Sequence, residues 1–226
     1  MKILMVSAEA VPFAKTGGLA DAVSALAMTL TNMGHDVKIV IPRYYKIDRA
    51  KLTQLEGPMG VPVGGGEAWT AVYETSMPDC EKLKVYFIDH EQSFGRDGIY
   101  GTPSETDFHD NPYRFSFLCH GAFQLCRKLG WIPDVIHCHD WSACPALVFL
   151  KHIYRYQDFK NTNGILTIHN LGYQGQYSKE NENVCTSCPA GYYSSTGAGS
   201  CTQCSSGSYS TGGASQCTAC PEVCGE

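Results

Sequence analysis

The chain has 226 residues, of which 43% are hydrophobic and 17% charged, with a formal net charge of -5 and 12 cysteines. That length allows one sizeable domain with an appendage, and the lack of a basic excess excludes a nucleic-acid surface as its organising feature. Only Ile3 to Val6 are strongly apolar before Ser7 and Glu9, too few for a signal-peptide core, and no apolar run reaches membrane-spanning length, so a cytoplasmic protein without a membrane partner is expected.

Residues 2–8 read as a strand, 9–18 as a loop and 19–33 as a helix. The helix carries Leu19, Val23, Leu26, Ala27, Leu30 and Met33 at helical spacing, and Gly34 stands where such a helix ends. Residues 36–42 form a second strand, so the start of the chain is a βαβ unit and a parallel sheet is expected. Arg43-Tyr44-Tyr45 follow at the strand end, where open α/β sheets place ligands. Between 46 and 66, Gly57-Pro58, Pro62 and Gly64-Gly65-Gly66 mark turns and a hairpin. Strands are expected over 69–75 and 83–89, and a long surface loop over 90–111. A helix over 112–129 would turn Phe115, Leu118, Ala122 and Leu125 inward. A strand over 134–141, a helix over 143–155, a strand over 164–170 and a glycine-rich turn over 171–176 complete the series. The fold class is α/β: a Rossmann-like, doubly wound parallel sheet with polar residues gathered at its strand ends.

The first candidate site is Lys15-Thr16-Gly17-Gly18-Leu19-Ala20-Asp21. It lies between a strand and a helix. Gly17 and Gly18 let the backbone approach a ligand closely, and the free amides of a helix start favour an anion. Lys15 adds a mobile cation, so a phosphate or diphosphate is the natural guest. Taken alone, a glycine pair before a helix also fits an ordinary tight turn, and the string is neither of the two common glycine-rich phosphate fingerprints.

The second candidate lies at two other strand ends: His137, His139, Asp140 and Trp141 on one, His169 and Asn170 on the other. His137 and His139 are two apart and so share a strand face. Three readings are open here. The groups fill core space and cap backbone; or they ligate a metal, which needs three or four convergent ligands; or they hydrogen-bond a sugar beside the apolar ring of Trp141. No metal and no cofactor is assigned.

These stretches carry a resemblance. V-S-A-E-A-V-P-F before K-T-G-G-L-A-D, then D-N-P-Y-R-F at 110–115, D-V-I-H-C-H-D-W and T-I-H-N-L-G-Y-Q-G resemble, in order, blocks of the bacterial glycogen synthase and plant starch synthase family. The likeness runs from Met1 to about Tyr177. It implies a retaining glycosyltransferase that moves glucose from ADP-glucose to the non-reducing end of an α-1,4-glucan, built as two Rossmann-like domains facing across a cleft (the GT-B arrangement). It implies Lys15, Gly17 and Gly18 at the donor phosphates, His139 and Asp21 in catalytic positions, and Asp140, Trp141, His169 and Asn170 along the sugar cleft. Residues 1–177 would then be a truncated N-terminal catalytic domain. The second domain, which in that family supplies most of the donor pocket, would be missing, so little activity is expected of the chain alone. An alternative is a non-catalytic protein that binds nucleotide or glucan.

Residues 178–183 read as a linker and 184–226 as a separate tail. From Val184 to Pro221 the tail has no charged residue, and it has no Leu, Ile, Phe, Met or Trp, so it cannot bury a hydrophobic core. Its cysteines follow C-x2-C-x12-C-x2-C-x12-C-x2-C, a 16-residue repeat. The tail resembles the cysteine-rich repeats of ephrin-receptor-like ectodomains. Disulfides are the favoured crosslink, and a four-thiolate zinc site is the rival.

Overall fold

The computed structural model describes residues 1–177 together with 192–193, 202–205, 208–209 and 216–219. They fall into two units, Met1–Gln176 and Tyr177–Glu226. The linker expected at 178–183 lies outside the described residues, as does most of the tail.

The first unit opens with β1 (Lys2–Val6), α1 (Gly18–Asn32) and β2 (Asp36–Pro42). α1 buries Leu19, Ala20, Val23, Ser24, Ala27 and Thr31. Leu26 and Met33, expected on that face, are exposed. Leu26 falls off the edge of a stripe centred on Val23 and Ala27, and Met33 is already the C-cap. The helix stops as the chain turns through Gly34 at φ +91°, with the Gly34 N–H donating to the Thr31 carbonyl and the His35 N–H to the Leu30 carbonyl.

The sheet continues through β3 (Thr53–Gln54), β4 (Met59–Val63), β5 (Gly66–Met77) and β6 (Cys80–Asp89). α2 (Glu91–Phe94) and α3 (Asn111–Lys128) follow, then β7 (Val135–His139), α4 (Asp140–Ala143), α5 (Pro145–His152) and β8 (Asn163–Thr167). The strand order is β3-β5-β6-β2-β1-β7-β8, with β4 paired to β5. β6, β2, β1, β7 and β8 run parallel. β3, β4 and β5 are antiparallel to their neighbours. The sheet is therefore mixed, a correction to the parallel sheet expected. The cause is loop length: Gly64-Gly65, both at positive φ, and Pro78-Asp79, with Asp79 at φ +63°, are two-residue hairpin links, and a parallel neighbour needs a crossover of a dozen residues or more.

The core fills both faces of the parallel strands. Leu4, Met5, Ile39, Ile41, Phe87 and Ile88 are fully buried, and α3 brings Phe115, Leu118, Ala122 and Leu125 against them. Residues 90–111 differ from the surface loop expected. They carry α2 and bury Phe94 and Phe108. Arg114 on α3 holds the loop, donating to the carbonyls of Ser93 (2.6 Å) and Ile99 (2.9 Å) while its guanidinium lies over the Phe108 ring. The helix expected over 143–155 is shorter: Pro145, with no N–H to continue α4, starts α5, which ends at His152, and the backbone leaves the helical region at Ile153 before a 3-10 turn over Tyr154–Tyr156. β8 is an edge strand. Ile165 and Leu166 on it, and Ile168 beyond it, stand exposed.

In the second unit β9 (Tyr192–Tyr193) pairs with β10 (Thr202–Gln203), and β11 (Ser208–Tyr209) with β12 (Thr218–Ala219). The two hairpins are offset by the 16-residue repeat of the sequence. Cys204 and Cys217 form a disulfide. No described helix is long and apolar enough to cross a membrane.

Candidate functional site

β1, β7 and β8 are neighbours, and the segments leaving their C-terminal ends build the site. The loop after β1 carries Lys15, Gly17 and Gly18, all exposed. Gly17 is the N-cap of α1 and offers no side chain to its amides, so the first-turn N–H groups of Gly18, Leu19 and Ala20 lack a capping side chain. Lys15 Nζ meets the Asp21 carboxylate at 2.7 Å, with both side chains at least half exposed. An ion pair that open contributes only about 0.2–1 kcal/mol, so an incoming phosphate can exchange with it. Asp21 is thereby placed as the resting partner of Lys15, on the first turn of the helix.

At the end of β7 the rings of His137 and His139 stack with centroids 4.2 Å apart. His137 Nε2 bonds Thr167 Oγ1 at 2.7 Å, and His139 Nδ1 meets His169 Nε2 at 3.0 Å. His139 is 0% exposed. Burial, then the neighbouring imidazoles His137 and His169, push its pKa down to about 3, so it is neutral at physiological pH. Burial and His169 also lower the pKa of His137. His139 Nε2 is buried without a hydrogen-bond partner among the described residues, where buried ring nitrogens are normally satisfied.

Asp140 follows at φ +60°, an uncommon conformation outside glycine that marks functional sites. Its Oδ1 accepts the His169 backbone N–H at 2.6 Å, which ties the end of β7 to the end of β8. Asn170 Oδ1 accepts the Gly172 N–H at 2.8 Å and so shapes the 171–176 turn. Trp141 packs edge-on against Phe115 at 5.1 Å and tilted against Tyr100 at 6.1 Å. Gly175, at φ +63°, lies against its ring. Trp141 thus supports the turn as much as it lines a cleft.

Of the residues after β2, Arg43 is buried and paired with Asp89 at 2.8 Å, and the Tyr44 hydroxyl donates to the Ala8 carbonyl at 2.9 Å. Both hold the scaffold; Tyr45 alone is exposed. Among the described residues no three His, Cys, Asp or Glu side chains converge as metal ligands. Two residues that the sequence pattern does not single out join the site. Glu9 binds the glycine loop from within, and Tyr100, from the 95–110 loop, donates to Glu9 at 2.9 Å. Only the apolar company of Tyr100 and the position of Glu9 at a strand end could have flagged them.

A Rossmann-like α/β domain, with a lysine-bearing glycine loop and a histidine pair at the mouths of adjacent strands, is the class of molecule these features define. The chain belongs to the starch synthase catalytic domain family, whose family model matches residues 2–213. It is 59% identical over 179 residues to a glycogen synthase of Treponema denticola and 41% identical over 180 residues to glycogen synthase 2 of Geobacter metallireducens, matches that cover 79% and 78% of this chain. Among solved structures it is similar to the catalytic domain of starch synthase IV from Arabidopsis thaliana bound to ADP and acarbose, with a TM-score of 0.70 and 28% identity over 81% of this chain. The chain spans about a third of the length of these relatives, 36% of each bacterial synthase and 37% of the plant chain.

Proposed function

We propose that residues 1–177 form one wall of the active site of an ADP-glucose-dependent, retaining glucosyltransferase that extends an α-1,4-glucan at its non-reducing end. The observation that carries the reading is the placement of two unlike sites side by side. The uncapped start of α1 beside Lys15 follows β1, and the contact between buried His139 and exposed His169 spans the ends of β7 and β8, the next two strands. In this reading Lys15 leaves Asp21 for the donor diphosphate, Gly17 gives the phosphate room to approach, and the Gly18 amide and helix start receive its oxygens. Neutral His139 offers Nε2 to a hydroxyl of the transferred glucose. Asp140 fixes His169 in place, and Trp141 holds the 171–176 turn. The ADP bound to the similar catalytic domain of Arabidopsis starch synthase IV supports a nucleotide guest.

A transferase of this kind must hold donor and acceptor together and stabilise the leaving diphosphate. Residues 1–177 supply only the groups named above, so the 226-residue polypeptide tested by itself is expected to bind without turnover. The test is calorimetry with ADP and a radiolabelled ADP-glucose transfer assay on the purified 226-residue chain. The expected result is ADP binding lost in Lys15→Ala, with no measurable transfer. Binding indifferent to Lys15 overturns the phosphate site; robust Lys15-dependent transfer overturns the one-wall reading.

For the tail we propose a disulfide-linked repeat of the cysteine-rich receptor type, supported by Cys204–Cys217 and the two equivalent hairpins. The free thiols of Cys80, Cys119, Cys126, Cys138 and Cys144 fit a cytoplasmic location for the first unit.

A further inference from the structure

Glu9 is a buried carboxylate beside a site read as anion-binding. Charge alone argues against placing it there. It is 2% exposed, and its backbone is pinned by Ser7, whose hydroxyl donates to the Glu9 carbonyl at 2.8 Å and accepts the Glu9 N–H at 3.1 Å. Its carboxylate has four uncharged donors: the Thr16 N–H at 2.5 Å, the Thr16 hydroxyl at 2.8 Å, the Gly17 N–H at 3.4 Å and the Tyr100 hydroxyl at 2.9 Å. Burial, and then the Glu9 charge, raise the pKa of Tyr100, so its phenol stays protonated and keeps donating.

The two amides Glu9 engages are those just before α1. An N-cap side chain would instead take the amides of the first turn, and Gly17 has no such side chain. Glu9 therefore fixes the loop from behind and leaves the Gly18, Leu19 and Ala20 amides for a ligand. Through Tyr100 it also ties this loop to Trp141 and the far side of the site.

We propose that Glu9 is a positioning residue: its carboxylate sets the Thr16–Gly17 backbone so that the following amides meet the donor diphosphate. The proposal rests on the diphosphate reading given above.

The test uses Glu9→Gln in the full 226-residue chain, with ADP calorimetry and amide hydrogen exchange followed by NMR. Glutamine keeps the volume and one acceptor oxygen. Removing a negative charge would by itself tighten ADP binding. Loss of positioning gives the opposite: binding weakened about tenfold, faster exchange at the Thr16 and Gly17 amides, and unchanged exchange in β1 and β7. ADP binding that tightens or stays level overturns the proposal. If the wild-type chain binds no ADP, the diphosphate reading fails. The exchange data still decide the loop: unchanged Thr16 and Gly17 rates in Glu9→Gln overturn the positioning role, and faster rates confined to the loop support it. Should Glu9→Gln not fold, Thr16→Val removes one donor at an exposed position. It is expected to speed Gly17 exchange and to weaken ADP binding about threefold, and no change in exchange overturns the role.

Discussion

Gly175→Ala tests how the site is closed on its β8 side. Gly175 sits at φ +63°, where a side chain costs about 1–2 kcal/mol. A Cβ there would meet Trp141 Cε3 and lie 2.8 Å from Cδ2, well inside the separation of about 3.5–4.0 Å at which carbons attract. The ring cannot retreat freely, because Phe115 and Tyr100 pack against it. Overpacking of this kind adds about 1–3 kcal/mol, for a total of about 2–5 kcal/mol. Residues 171–176 are exposed, so the turn escapes the strain by detaching while the domain stays folded. The expected result is a melting temperature within about 2 °C of the background, together with a red-shifted and more quenchable emission, read in a Trp69→Phe/Trp131→Phe background that leaves Trp141 as the remaining tryptophan. The His169 amide, held by Asp140, should exchange faster. Unchanged emission and exchange would refute the clamp. A cooperative fall of more than about 8 °C would refute its local character.

Two further perturbations report on the scaffold and the histidines. His139 has its folded pKa pushed down to about 3, against about 6.5 in an unfolded chain, so the unfolded state takes up the proton first. Its contribution is intact above about pH 6.5 and is lost as pH falls toward 3, amounting to about 2 kcal/mol between pH 7 and 5. Urea unfolding of His139→Asn should show a pH slope flattened by that amount, and an undiminished slope would count against a neutral buried imidazole. Arg114→Lys should cost about 3 kcal/mol and open residues 95–108 to protease. One ammonium cannot reach the Ser93 and Ile99 carbonyls and also cover the Phe108 ring; wild-type protease resistance would show that the loop is held by its apolar contacts alone.

Local pattern and loop length explain which parts of the fold were legible. The βαβ start and the inward face of α3 follow from periodicity, and periodicity is what packing obeys. The β4–β5 hairpin follows from the glycines over 64–66, whereas the antiparallel pairing of β5 with β6 does not, because direction is set by links, not by strands. Gly64-Gly65 announced one hairpin, but Pro78-Asp79 hides a positive φ in a residue that seldom adopts it. The glycines of the 90–111 segment point to a surface loop. Its burial comes from two aromatic residues and from Arg114 on α3, which reaches back to the carbonyls of Ser93 and Ile99, and no local pattern reports such a partner.

The site divides along the same line. Lys15, Gly17, His137 and His139 stand out because strand ends and glycine loops put their chemistry in a short window. Glu9 and Tyr100 do not. Each would pass as an ordinary loop residue, and their roles exist only because residue 9 and residue 100 meet at 2.9 Å. Asn170 adds a second task that the sequence does not show: its Oδ1 also holds the turn through the Gly172 N–H. Ligand-facing groups are legible when sequence neighbours share one task. The groups that aim them are recruited across the fold, and the positioning assigned to Glu9 is the part of this site that only the folded chain reveals.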